Sequence, residues 1–214
     1  MARADGQRAD RGEQAPPFVG LTGGLGAGKT TALALLRELG AATLSSDEVV
    51  HELLEQPEVV AEIAERFGER VLADGRVDRG RLAETVFADP EARRALEQIL
   101  WPRVGAEVAA WRARAAAQQP PPRALVVEVP LLFEAGMEGA FDATIAVVAD
   151  DSVRSERLVG RDQRALAERD RRQLPQHEKA ARATFTVRND GTIEQLRAQL
   201  SAVLATIAPC KARR

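Results

Sequence analysis

The run Gly23-Gly24-Leu25-Gly26-Ala27-Gly28-Lys29-Thr30 carries the clearest chemistry in the chain and matches the pattern GxxxxGK[ST] in full. Each part answers a physical need. Glycines let successive backbone N–H groups converge on a phosphate without Cβ clashes. A helix opening near Lys29 turns its unpaired N–H groups and positive dipole end to the same anion. Lys29 brings a mobile full charge to the outer phosphates, and the Thr30 hydroxyl suits a magnesium ion held with them. Gly24, Leu25, Gly26, Ala27, Gly28, Lys29, Thr30 and Thr31 are therefore the expected nucleotide-binding set, with ATP and Mg²⁺ as the implied ligands. The alternative is a glycine-rich turn that happens to precede a helix, and the strand before it and helix after it weigh against that.

Two carboxylates follow at strand ends. Asp47 sits just beyond the short apolar segment Ala41–Leu44, where it also suits the N-cap of a helix running on from Glu48. Glu128 closes the run Ala124-Leu125-Val126-Val127 and joins Thr30 as an expected magnesium residue, through the ion's hydration shell. No Asn-Lys-x-Asp guanine-reading motif is present, and His51 and His177 have no metal-ligand spacing. The chain's size, a long helical stretch and an arginine-rich segment from Arg161 to Arg172 suit a small-molecule kinase. Such an enzyme must bind an acceptor, close over the phosphates and exclude water, or ATP is hydrolysed.

The elements that must position these groups read as an alternation of strands and helices. Phe18–Thr22 is a buried strand that delivers the loop. Thr31–Leu39 carries Leu33, Leu36 and Leu39 at helical spacing and stops at Gly40. Residues 48 to about 117 read as almost wholly helical, broken at Pro57, Asp74-Gly75, Asp89-Pro90 and Pro102. Ala124–Val127, Thr144–Val148 and Thr184–Val187 read as further strands, with helices over Ser152–Val159 and from Thr192 to about Ile207. The expected fold is α/β, a doubly wound parallel sheet of the P-loop NTPase type. The stretch of about 48–117 is too long for one crossover and becomes a helical insertion for the acceptor, and residues 160–175 become a lid.

Composition narrows the class further. Thirty basic residues against 32 acidic ones among 214 leave a net charge of −2, which gives no bulk attraction to nucleic acid. The one cysteine, Cys210, cannot close an internal disulfide, and no apolar run is long enough to span a bilayer. A cytoplasmic protein is expected, monomeric or weakly self-associating, with no membrane partner. Residues 1–15 mix arginines and acids without an apolar core and are expected to be a disordered tail preceding one domain over 16–214.

Four stretches in order resemble the dephospho-CoA kinase family, between Phe18 and about Ile193. They are Leu21–Thr31; Phe67-Gly68 through Asp74-Gly75-Arg76-Val77-Asp78-Arg79 to Asp89-Pro90; Val129-Pro130-Leu131-Leu132-Phe133-Glu134-Ala135-Gly136; and Arg157-Leu158 with Arg161-Asp162, then Asn189 and Gly191. The resemblance implies transfer of a phosphoryl group from ATP to the ribose 3′-hydroxyl of dephospho-CoA. It implies Asp47 beside the acceptor hydroxyl as a base, Lys29 and Arg161 on the transferring phosphoryl group, and Arg157 and Asn189 at the nucleotide. Asp78 and Arg79 would belong to the acceptor side. Two alternatives share these motifs: a kinase for a related nucleoside or nucleotide, and an ATP-binding regulatory paralogue without turnover. The chain departs from the family at Ser45 (usually Asp), His51 (usually Arg), Trp101 (usually His before Pro102) and Glu128 (usually Asp).

Overall fold

The computed structural model describes residues 15–160, Leu166 and residues 170–207. Arg161, residues 1–14 of the expected tail, Cys210 and much of the expected lid lie outside the described residues.

Five parallel strands form the sheet: β1 (Phe18–Gly23), β2 (Ala42–Ser45), β5 (Leu125–Glu128), β6 (Ala143–Val148) and β7 (Phe185–Arg188), in the order β2-β5-β1-β6-β7. The near-continuous apolar, buried runs of β1, β5 and β6 are those of strands covered on both faces. Val19, Leu21, Val126, Ile145 and Val147 meet one core, shared with α1 (Lys29–Glu38) and α8 (Ile193–Ile207). The alternate residues Phe18, Leu125 and Val127 meet the opposite core. Gly20 lies on that second face beneath Leu132, whose Cδ1 would stand 2.4 Å from any added Cβ. The crossover from β1 runs to β2, beyond β5 on one side, whereas the crossover from β5 runs the other way, past β1 to β6. That reversal opens a crevice at the carboxyl ends of the strands, the usual ligand site of such sheets.

The insertion comprises α2 (Ser46–Leu53), α3 (Pro57–Phe67), α4 (Arg79–Ala88) and α5 (Pro90–Ala116) around a separate core of Val49, Leu53, Ile63, Leu82, Ile99 and Leu100. It is not wholly helical. Asp74-Gly75 is the turn of a small antiparallel hairpin between β3 (Leu72–Ala73) and β4 (Arg76–Val77), with both turn residues at positive φ. Pro57 and Pro90 each open a helix, where a missing N–H costs nothing. Pro102 does not break the chain as expected: α5 runs through it for 27 residues. Buried Ile99 and Leu100 before it and half-buried Val104 and Val108 after it hold the helix on both sides. The Arg103 guanidinium also donates to the Ile99 carbonyl at 2.6 Å and to Glu62 on α3.

α5 thus belongs to two cores. Ala92, Ala95, Ile99 and Leu100 pack in the insertion, while Val108, Trp111 and Ala115 pack against the sheet. After β6 come α6 (Asp151–Arg157) and α7 (Gln176–Arg182). The second of these the sequence pattern does not announce. Among the described residues, no helix is long and apolar enough to cross a membrane.

Candidate active site

The phosphate loop leaves β1 at its carboxyl end and enters α1 through Gly28, whose φ of 90° lies in the left-handed region. A Cβ at Gly28 would stand 2.0 Å from the Asn189 side-chain nitrogen, and one at Gly23 would stand 2.4 Å from the Val147 carbonyl oxygen. These glycines are needed for close approach as well as for backbone freedom.

The loop's carbonyls are held from outside by side chains. Arg154 Nε donates to Leu25 O at 2.7 Å, and Arg157 donates to Gly26 O at 3.3 Å and Ala27 O at 3.5 Å. Asn189 donates to Ala27 O at 2.9 Å, and Arg157 also reaches the Asn189 carbonyl at 2.9 Å. With the carbonyls engaged in this way, the amides of Leu25, Gly26, Gly28 and Lys29 donate to no protein acceptor among the described residues. Free amides on a turn that feeds a helix N-terminus are what a polyphosphate requires. Arg157 and Asn189 therefore lie against the loop. Arg154, on the same α6 face one turn earlier, joins them unexpectedly. Spacing of three residues on a helix was the available signal.

Lys29 folds back along the loop, its Nζ donating to Gly23 O at 3.1 Å and Gly24 O at 3.3 Å. Burial pushes its pKa below the ordinary lysine value, opposed by the negative charges of Glu128 and Asp47 and reinforced by the positive charges of Lys179 and Arg154. Glu128 stands in register with Leu21 of β1 and Ser45 of β2, so three strand ends converge there. Burial raises the Glu128 pKa above the usual carboxylate range, opposed by Lys29 and by the Ser45 hydroxyl, which donates to its Oε2 at 3.0 Å. The nearby charges of Asp47 and Glu48 push it further up.

Asp47 is exposed in the first turn of α2, not at its N-cap. Ser45 holds the cap position, and its side chain is spent on Glu128 rather than on the helix. The capping alternative for Asp47 is thereby corrected. Asp78 is itself a helix cap, its Oδ1 accepting from Gly80 N and Arg81 N at the start of α4. Arg79 reaches His51 Nδ1 at 3.0 Å, linking α4 to α2.

Thr30 and Thr31 are exposed in the first turn of α1, and the Thr30 hydroxyl has no protein partner among the described residues. Glu128 Oε1 is likewise without a protein hydrogen bond, and no group of three or more metal-binding side chains occurs among the described residues. This donor set fits Mg²⁺, which takes one or two protein oxygens plus phosphates and water rather than a protein cage.

A further polar network underlies the site. Lys179 of α7 is completely buried, donating to Pro130 O at 2.6 Å and pairing with Glu134 at 2.9 Å. Pro130 O also accepts from Thr22, the residue before the loop, and Glu134 Oε1 accepts from Leu174 N at 2.6 Å. Gln176 clamps Ala149 at both its N–H and its carbonyl, at 3.0 and 2.8 Å. A cavity of about 370 Å³ opens beside the loop tip between Leu25, Arg154, Ser155, Leu158, Leu166 and Asp170.

The family model described as dephospho-CoA kinase matches residues 17–195. A dephospho-CoA kinase of Anaeromyxobacter dehalogenans is 43% identical over 201 residues, covering 92% of this chain and 94% of the relative. One from Deinococcus radiodurans is 41% identical, covering 88% and 91%. The solved structure of TT1252 from Thermus thermophilus superposes with a TM-score of 0.78 at 37% identity, covering 90% of this chain and 98% of that one.

Proposed function

The chain belongs to the dephospho-CoA kinase family, and on that premise we propose that it transfers the γ-phosphoryl group of ATP to the ribose 3′-hydroxyl of dephospho-CoA. It is a kinase on a P-loop scaffold. The observation that carries the site assignment is the convergence of Lys29, Glu128 and Asp47 at the carboxyl ends of adjacent strands.

In this reading the free loop amides and the α1 N-terminus bind the β- and γ-phosphates. Lys29 moves from the Gly23 and Gly24 carbonyls onto the transferring group, where its charge offsets the charge developing on the equatorial oxygens. Arg157 and Asn189 brace the loop on the nucleotide side, and Arg161 joins Lys29 on the phosphoryl group. Thr30, and Glu128 through water, would hold Mg²⁺ together with ATP, and the ion would supply positive charge against that of the phosphates. Asp47 orients the acceptor hydroxyl for in-line attack and takes its proton. Its exposure in the crevice leaves the carboxylate reachable by a substrate entering over α2.

The test is product formation by purified protein with Mg-ATP and dephospho-CoA, followed by chromatography of coenzyme A. Stoichiometric conversion is expected. Turnover confined to other nucleosides or nucleotides would replace the acceptor assignment, and tight ATP binding without transfer to any acceptor would make the chain a regulatory nucleotide-binding protein.

A further inference from the structure

We propose that Trp101 is a stacking platform for the adenine base of the acceptor, an inference that rests on the kinase reading above. Trp101 is 61% exposed, unusual for so large an apolar side chain, and among the described residues it has no hydrogen bond, ring contact or cation partner. It stands where the resembled family carries histidine.

Its position on α5 says where that face points. Residues 97, 101, 104, 108, 111 and 115 recur at helical spacing and share one stripe. The lower end of the stripe, Val108, Trp111 and Ala115, lies against the sheet with Leu125 and Val127. At its upper end Glu97 binds Arg172 at 3.1 Å, two residues before Leu174, whose N–H donates to Glu134 on the segment that leaves the carboxyl end of β5. Trp101 falls between these anchors, roughly 10 Å along the axis from Val108 and roughly 6 Å from Glu97. Leu44 fixes the level: it packs with Val108 against the sheet-side core and with Val104 against the insertion core, and Ser45, Ser46 and Asp47 follow it directly. One turn of α5 above that level, Trp101 therefore flanks the first turn of α2, which packs on α5. The indole thus overlooks the crevice between the insertion and the segment carrying Arg172, beside the carboxylate assigned to the acceptor hydroxyl.

The acceptor's chemistry fits that place. Its reacting hydroxyl and its adenine are attached to the same ribose, so a hydroxyl held at Asp47 leaves the base within the width of one sugar ring. An exposed indole offers a large, rigid π-face at little entropic cost, and aromatic stacking on a base commonly changes affinity by about ten-fold or more.

Two measurements test the proposal. The chain has two tryptophans, Trp101 and Trp111, so emission can be assigned. With a non-hydrolysable ATP analogue saturating the loop, dephospho-CoA is expected to quench Trp111→Phe and to leave Trp101→Phe unchanged. In steady state, Trp101→Ala is expected to raise KM for dephospho-CoA about ten-fold or more, with KM for ATP within about two-fold, and Trp101→Phe to recover most of the loss. Turnover of dephospho-CoA without quenching in Trp111→Phe, or an unchanged KM in Trp101→Ala, overturns the platform while leaving the kinase reading intact. Equal quenching by 4′-phosphopantetheine, which has no adenine, also overturns it, because the indole then meets the arm instead of the base. Failure of the wild-type protein to use dephospho-CoA removes both readings.

Discussion

Replacing Lys179 with Met is expected to destabilise the protein by about 3 kcal/mol. The lysine is 0% exposed, and its Nζ bonds Pro130 O and Glu134. Methionine fills similar volume, so the loss is not chiefly a cavity. What remains is the Glu134 carboxylate without its counter-charge, one of its oxygens already buried with no hydrogen-bond partner. Breaking one side of a buried pair costs about 3–5 kcal/mol. The Glu134 side chain keeps 14% exposure, which favours the lower end. For a chain of this length that corresponds to a fall in Tm of about 6–12 °C. The double variant Lys179→Met/Glu134→Gln removes both charges and keeps an acceptor for Leu174 N, so it should recover to within about 1 kcal/mol of wild type. Urea unfolding of the four proteins gives the coupling directly. Glu134→Gln alone carries a pH signature. Burial already lowers the Lys179 pKa, and Glu134 opposes the fall; without it the folded pKa drops further below 10.5. The unfolded chain then binds more protons than the folded one, so stability rises with pH and the deficit of Glu134→Gln shrinks toward pH 10. A Lys179→Met protein within about 1 kcal/mol of wild type, or a double variant as unstable as the sum of the singles, would refute the argument.

Lys29→Ala should abolish transfer while the far-UV spectrum and Tm change little, since its hydrogen bonds reach only the loop's own carbonyls; near-normal turnover would remove the central assignment. Asp47→Asn should lower kcat by about 100-fold or more with ATP binding preserved. Because Asp47 is not a cap, Asp47→Ala should cost no more than about 0.3–1 kcal/mol from the helix dipole. Equal kcat for Asn and wild type would end the base assignment. At pH above the ordinary glutamate range, Glu128→Gln should raise Tm. The raised folded pKa means wild type loses stability as pH climbs from about 4.5 through that higher value, so the gap between the proteins closes below about pH 4.5. A gap independent of pH would show that ionising a buried Glu128 is not what separates the two proteins.

The parts of the fold most legible in the sequence were those in which local pattern and tertiary role coincide. Strand β1, the loop and α1 are written in consecutive apolar residues, glycines and leucines at helical spacing, and Gly40 ends α1 at a φ of 91° as its type implies. Short α7 escaped because it is seven residues of mostly polar type, QHEKAAR, held by its neighbours rather than by its own periodicity. For the same reason Lys179 reads as a surface lysine until Glu134 and Pro130, more than 40 residues earlier, close around it. Pro102 breaks a rule that concerns the local ladder, but Ile99, Leu100 and Val104 pack in the insertion core on either side of it, and Val108 continues onto the sheet. Asp47 and Glu128 were legible as carboxylates at strand ends, but their meeting with Lys29 needed the strand order that sets β5 beside both β1 and β2.

That grip on α5 has a mechanical consequence. The helix acts as a beam held in the insertion as far as Val104 and on the sheet from Val108 onward, with Pro102 close to the junction of the two. A proline supplies no N–H to the carbonyl four residues earlier, so the ladder lacks a rung at the Gln98 carbonyl. Any swing of the insertion over the crevice must flex this beam, and bending strain concentrates where the rung is missing. Trp101 is the neighbouring residue, so the indole would be displaced by even a small angular change, in step with the distance between the acceptor-bearing helices and the phosphate loop.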